Sequence, residues 1–297
     1  MISKISTNRW PARRKEPTIS EGIRALRTPN MTNNALTNLI LPPASGFGDM
    51  WMKTGTRVGL RYLLFAGIAW LLAYVMFKKR WWPRKILQKW PEGSDIRREI
   101  SYSLSTMVIF GLIGAGTLTA ARYGWTRFYL SLGEHSAWWF LASLAMAIAM
   151  HDTYFYWTHR AMHHPRLFAV IHRVHHLSHN PSPWASYAFS PAEAVAQALI
   201  FPLIVFLIPI HPLAFGLFML WQITINVIGH TGFEYHPRGL MDSKWGRMLN
   251  TPTNHAMHHE KLRGNYGLYF NVWDRLMGTN HEDYERRFRE VTSRRAS

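Results

Sequence analysis

The residues in this chain best suited to chemistry are its histidines. It has sixteen of them. Seven fall within residues 151–176, HDTYFYWTHRAMHHPRLFAVIHRVHH, interleaved with Tyr, Phe, Trp, Leu and Val. An imidazole buried without a partner costs free energy, so a cluster this dense in apolar surroundings needs something to hold it, and a metal ion is the leading candidate. His159 and His163 are four apart and project from one face of a helix. His172, His175 and His176 form H-x2-H-H, and His255, His258 and His259 repeat it about eighty residues later. On a helix the i, i+3 and i+4 positions lie on one side, so each such group offers three imidazoles to a common centre. His230 stands alone, beside Glu234 and His236. Together these histidines suffice for two metal ions.

With no cysteine in the chain, disulfides, thiolate zinc sites, Cys-ligated iron–sulfur clusters and a Cys nucleophile are all excluded. Any metal is held by nitrogen and oxygen. Zinc is redox-inert, and a hydrolase has no need of so many neutral ligands. The other histidines have plainer readings. His135, His211 and His281 read as loop residues, and His164, His179 and His236 as outer donors or bystanders. His151 with Asp152 reads as a pair that orients a ligand or faces the membrane interface.

The elements that must position these residues are apolar helices. Of the 297 residues, 48% are hydrophobic and 14% aromatic, and only 17% are charged, below the roughly 25% usual for soluble domains. Residues 1–50 are polar, basic and proline-bearing and read as a mobile tail without a signal-peptide layout. Gly59–Phe77, 101–121 and Ala137–Trp157 are long apolar runs. Gly111, Gly114 and Gly116 suit close helix contact, not a dinucleotide loop, because no strand-like unit surrounds them. The stretch 195–229 is broken by Pro209 and Pro212 around His211 and reads as two helices joined by a turn. The expected fold is an all-α integral membrane protein with four to five spanning or re-entrant helices. Its expected divisions are the tail 1–50, membrane helices 51–136, a histidine-box catalytic domain 137–280 and a basic C-terminal tail 281–297.

The net charge is +17, from 34 Lys and Arg against 17 Asp and Glu. These charges lie between apolar segments and form no nucleic-acid-binding module; attraction to anionic headgroups accounts for them. Lys78, Lys79, Arg80, Arg84, Lys85 and Lys89 follow the first run, which predicts that this loop is cytoplasmic. Alternating spans then deliver the histidine groups to the same side, making a multi-pass protein with a cytoplasmic site. Lys53, Arg57 and Arg61 ahead of the first run conflict with this placement.

The boxes His159-x3-His163, His172-x2-His175-His176 and His255-x2-His258-His259 resemble those of the sterol desaturase and fatty acid hydroxylase family of membrane di-iron oxygenases. "YWTHRAMHH", "SPWASYAFSPAEA" and "NHAMHHEKLRGNYGLYFNVWDRLMGT" are most similar to its sterol C5-desaturase branch, and the likeness runs from about Ala137 to Thr279. The resemblance implies a helical membrane enzyme with a cytosol-facing site around two non-haem irons (Fe2+), using O2 and two external electrons to desaturate or hydroxylate a lipid. By position the family's ligands fall on His159, His163, His172, His175, His176, His230, His255, His258 and His259. Some hydroxylases of the family carry another histidine four residues after the single one; here Glu234 occupies that place.

The chain has no persuasive flavin, nicotinamide or haem fingerprint, so electrons are expected from a separate protein such as cytochrome b5 or ferredoxin with its reductase, drawn by the basic face. Trp184, Tyr187 and Phe189 follow the second histidine group and are expected to wall the lipid site; flat aromatic walls favour a sterol-like substrate. Asn265, Tyr266, Gly267, Trp273, Asp274 and Gly278 are expected to pack over the metal site or to form a turn and interfacial helix. The competing readings are hydroxylation of a fatty acyl or sphingolipid chain, a histidine-rich metal transporter, and a structural zinc-binding membrane protein.

Overall fold

The chain folds into helices whose apolar faces point outward as well as inward. The computed structural model describes residues 46–294; residues 1–45 of the expected tail lie outside that range. The helices are α1 (Phe47–Trp70, running on through a wider turn, Leu71–Met76), α2 (Lys78–Trp81), α3 (Gly93–Arg122), α4 (Ala137–Met162), α5 (Pro165–Ile171) and α6 (Arg173–His176). They continue with α7 (Pro191–Ala198), α8 (Ile200–Leu207), α9 (Pro212–His230), α10 (Pro252–Lys261), α11 (Val272–Leu276) and α12 (Tyr284–Ser293). The described residues form no sheet, only three isolated bridges.

Phe47–Met76, Gly93–Arg122 and Pro212–His230 are long and apolar enough to cross a membrane. Leu60, Leu64, Val108 and Leu112 are exposed on their outer faces, as lipid-facing side chains are in a bilayer. α4 has the length to join them, but its C-terminal half carries His151, Asp152, His159 and Arg160. The first apolar run is thus the later part of a helix that begins at Phe47, and Lys53, Arg57 and Arg61 lie on that helix, with Lys53 paired to Asp49 at 2.9 Å.

α1 and α3 meet backbone to backbone. A Cβ on Gly111 would lie 2.7 Å from the Gly55 Cα, and Thr54 Oγ1 donates to the Gly111 carbonyl at 2.7 Å. Gly116 faces open space, so of the three small residues in α3 it is Gly111 that the contact requires. The expected break after residue 207 is present: α8 ends at Leu207, and His211 Nδ1 accepts from the Leu213 N–H to cap α9.

α1, α4 and α9 run one way, α3 and α7–α8 the other. At one end, Arg127 N–H donates to Val205 O and the Trp139 indole to Pro209 O. At the other, the basic segment 78–89 and the start of α3 meet the chain just after the second histidine group: Asn180 donates to Lys89 O, and Arg98 of α3 to Leu177 O. α10 and α12 close over this end around Met241, Met257, Tyr284 and Phe288.

Candidate metal centre

The nine histidines converge at that end in two groups. His159, His163, His172, His176 and His258 form one; His175, His230, His255 and His259 form the other. Within each group the candidate ligand atoms lie within 4.8 Å of one another. The partition corrects one expectation, because neither H-x2-H-H triplet serves a single centre. His172 and His176, four apart, face the first group while His175 faces the second; His255 and His259 face the second while His258 faces the first. A helix turn aligns i with i+4 more closely than with i+3, and α6 and α10 lie between the groups, each supplying both.

Outer contacts set which ring nitrogen points inward. His159 Nδ1 lies 2.8 Å from Tyr266 O, His258 Nδ1 2.6 Å from Gly264 O and His230 Nδ1 2.7 Å from Asn226 O. A backbone carbonyl only accepts, so each of these rings carries its proton on Nδ1 and turns a bare Nε2 lone pair inward. His159 and His258 share a group with ring centroids 4.4 Å apart. Lone pairs gathered this way repel unless a cation lies among them. His172 Nδ1 meets the buried Glu193 carboxyl at 2.7 Å, the carboxylate–histidine pairing that orients metal ligands.

The spacing also fits a metal. Neighbouring Nε2 atoms are 3.0, 3.2 and 3.1 Å apart in the first group (His159–His172, His163–His258, His163–His176) and 3.3, 2.9 and 3.1 Å apart in the second (His175–His230, His230–His255, His255–His259). At a metal–nitrogen distance of about 2.1 Å, ligands at right angles sit about 3.0 Å apart. Five imidazoles in one group exceed a tetrahedral zinc shell and suit a five- or six-coordinate metal. Burial first, then neighbouring imidazoles, hold His172, His175, His176, His255, His258 and His259 well below the usual histidine pKa. The neutral ring is the form that binds a metal.

The segment 264–270 supplies much of this wiring. Asp274 accepts the Tyr266 and Gly267 N–H groups at 2.9 and 2.7 Å, and Asp152 accepts those of Tyr269 and Phe270 at 2.8 and 3.2 Å. Two carboxylates thereby aim the Tyr266 carbonyl at His159. Gly267 has no room for a side chain: a Cβ would lie 2.5 Å from Asn250 Nδ2 and 2.8 Å from Phe270 O. The Tyr266 ring lies over the first group, 5.1 Å from His163.

An apolar cavity of 270 Å³ reaches His230 and His255 of the second group, walled by Trp221, Ile225, Leu268 and Phe270.

The fatty acid hydroxylase family model matches residues 144–279, the stretch that carries every one of these histidines. This segment is similar to that family along the whole of its histidine-bearing part. A Delta(7)-sterol 5(6)-desaturase of Aspergillus fumigatus is 31% identical over 204 residues, covering 67% of this chain and 54% of the relative. Lathosterol oxidase of Homo sapiens is 28% identical over 230 residues, 75% of this chain and 72% of the relative. A Delta(7)-sterol 5(6)-desaturase of Gibberella zeae is 27% identical over 233 residues, 77% and 67%. The sterol C5-desaturase branch expected from the motifs is the one these relatives occupy. The chain spans little more than half the length of the Aspergillus relative. No solved structure matches the chain.

Within the matched segment, the aromatics expected to wall the lipid site lie away from the cavity at His230 and His255. Tyr187 is fully buried and stacks on Tyr62. The Trp184 carbonyl accepts from Tyr62 and Ser103, and Asn226 fastens Ser186 O at 2.8 Å. These bonds make the turn Pro183–Tyr187 part of the helix core. Phe189 does approach the metal centre, with its ring 5.2 Å from His175. None of the three lines the cavity at His230 and His255.

Glu234, at the place of a tenth ligand, is in neither histidine group; it accepts from the His236 ring and N–H and from Thr253. Burial raises its pKa, but those hydrogen bonds outweigh burial and leave it lowered. His151 binds the Tyr269 hydroxyl at 2.6 Å and also stands outside both groups.

Sequence reasoning misses Glu193, which lies in the SPAEA segment, and Asn226, whose polarity four residues before His230 in an apolar helix is a usable signal. It also reads Lys85 only as a loop charge. Lys85 is fully buried, donates to Asn180 at 2.8 Å, and is pulled down to about 7 by burial.

Proposed function

We propose that the protein is an O2-dependent lipid desaturase of the sterol type, with two irons held by the nine histidines and electrons delivered by a separate carrier. The observation that carries this reading is the pair of adjacent groups of buried, inward-turned ring nitrogens, one of them open to an apolar cavity. Iron bound there supplies an O2-derived oxidant strong enough to take hydrogen from an unactivated C–H bond. Desaturation consumes O2, two electrons and two protons, removes two hydrogens from adjacent carbons and releases two waters.

The chain's own residues bind, orient and exclude water. Trp221, Ile225, Leu268 and Phe270 give the substrate carbon a dry approach to His230 and His255. At 270 Å³ the cavity admits the reacting part of a lipid, the remainder staying in the bilayer. Glu193, Tyr266 O, Gly264 O and Asn226 O hold four imidazoles in the tautomer that binds metal.

The basic segment at the histidine end supports a cytoplasmic site and the docking of an acidic donor such as cytochrome b5 or ferredoxin. A labelling tag within residues 78–89 that reported the opposite compartment would contradict the sidedness.

The test supplies the purified, iron-loaded protein and a reductase chain with a sterol and, separately, a fatty acyl lipid, and follows product mass. Loss of two hydrogens from the sterol is expected. Exclusive gain of one oxygen on the acyl lipid would replace this reading with hydroxylation of a fatty acyl or sphingolipid chain.

A further inference from the structure

Two cavities away from the histidines meet at one edge of the bundle. The first, of 340 Å³, is an apolar groove between α1 and α9, lined by Leu64, Ile68 and Leu72 on one side and Thr224, Val227 and Thr231 on the other. Both helices run the same way, so Leu72 and Thr231 mark its histidine end and Leu64 and Thr224 its deep end. At about 1.5 Å rise per residue the groove is about 10–12 Å long. Leu64 and Ile68 are exposed along it, 57% and 48%.

The second cavity, of 490 Å³, lies at the histidine end and is lined by Arg80, Arg84 and Arg294 with Trp81, Tyr235 and Glu234. Trp81 and Tyr235 border both cavities, so the arginine cleft opens onto the groove. Glu234 offsets only part of the cleft's charge: one acid against three arginines leaves a surplus of positive charge.

From these paired cavities we infer a binding site for an anionic glycerophospholipid, its phosphate among Arg80, Arg84 and Arg294 and one acyl chain in the α1–α9 groove. The parts stand in the order such a lipid needs. A dry groove lies at hydrocarbon depth, an amphipathic Trp and Tyr rim it, and cations sit above the rim. Arg84 and Arg294 are held in place by bonds to His236 O and Lys85 O, both at 2.9 Å or less, so the charges are fixed before the lipid arrives. Ile228 and Tyr235 wall both this groove and the cavity at His230, so the bound lipid flanks the entrance to the metal centre. The site does not depend on the desaturase reading.

The test uses the full chain purified in detergent, mixed with phosphatidylglycerol or phosphatidylcholine, with retained lipid counted by native mass spectrometry. An arginine beside an anionic group contributes about 1 kcal/mol, about fivefold in retention, so phosphatidylglycerol should exceed phosphatidylcholine at least about fivefold and Arg80→Gln should remove about that factor. Ile68→Trp, which fills the groove from an exposed position, should lower phosphatidylglycerol retention as well. Equal retention of the two lipids would overturn the inference. So would displacement of phosphatidylglycerol by equimolar inorganic phosphate, which would mean a phosphate site without the groove, or by a sterol, which would make the groove a substrate path.

Discussion

The two histidine groups are built from the same residue type and tied down differently. In the five-histidine group, His159, His172 and His258 each have Nδ1 bound to a fixed partner, two of them backbone carbonyls and one the buried Glu193. In the four-histidine group His230 is held by Asn226 O, while the Nδ1 atoms of His175 and His259 find no partner among the described residues; in the five-histidine group the same is true only of His176 Nδ1. The groups also differ in access, since the apolar cavity touches His230 and His255 of the second and none of the first. The difference points to a division of labour. We propose that the group under Tyr266 is the more firmly anchored metal site and that the group open to the cavity is the one that meets the substrate.

The largest effect that tests this division comes from removing ligands. Replacing His159, His172, His175, His258 or His259 with Ala should abolish turnover and leave membrane insertion intact, because each opens a metal shell without touching a span. Normal turnover in both the His175 and the His258 variants would sink the two-centre account.

A smaller effect sharpens the contrast. Glu193→Ala frees the His172 ring and should weaken iron retention in the anchored group by about 10- to 100-fold, read by competition with a chelator. Glu193→Gln, whose amide oxygen still accepts, should recover most of that loss. Equal retention in Glu193→Ala and wild type would mean that the anchoring is incidental.

The smallest effect is the control. His281 lies outside both groups, and His281→Ala should change stability by no more than about 0.5 kcal/mol and leave iron content unchanged. A loss of iron there would show that the ligand set has been drawn wrongly.

The convergence of the nine histidines was legible because four-residue and three-plus-four spacing constrains a helix, and because α4, α6 and α10 are indeed helices. Their division into five and four was not legible. It depends on α6 and α10 each lying between two centres, and nothing in H-x2-H-H tells which neighbour each face will meet. Three helices long and apolar enough to cross a membrane were legible from hydropathy, as was the break at Pro209 and Pro212, whereas α4, also expected to span, is not among the three. The start of α1 at Phe47 was hidden by Lys53 and Arg57, which a helix extending beyond the apolar layer tolerates. The lining of the cavity at His230 and His255 was not legible for a similar reason. Proximity in sequence put Trp184, Tyr187 and Phe189 beside the metals, whereas the cavity wall is assembled from α9 and from residues 249–252 and 268–270, which only tertiary folding brings together.

The most direct test of the central claim is the iron content of the intact chain, purified from iron-supplemented cells and measured together with its His175→Ala and His258→Ala variants. The account predicts two irons per chain in the unaltered protein, and one in each variant, with the remaining iron in a different electronic environment in the two cases. A single iron per chain, or a variant pair that retains the same iron, would contradict it.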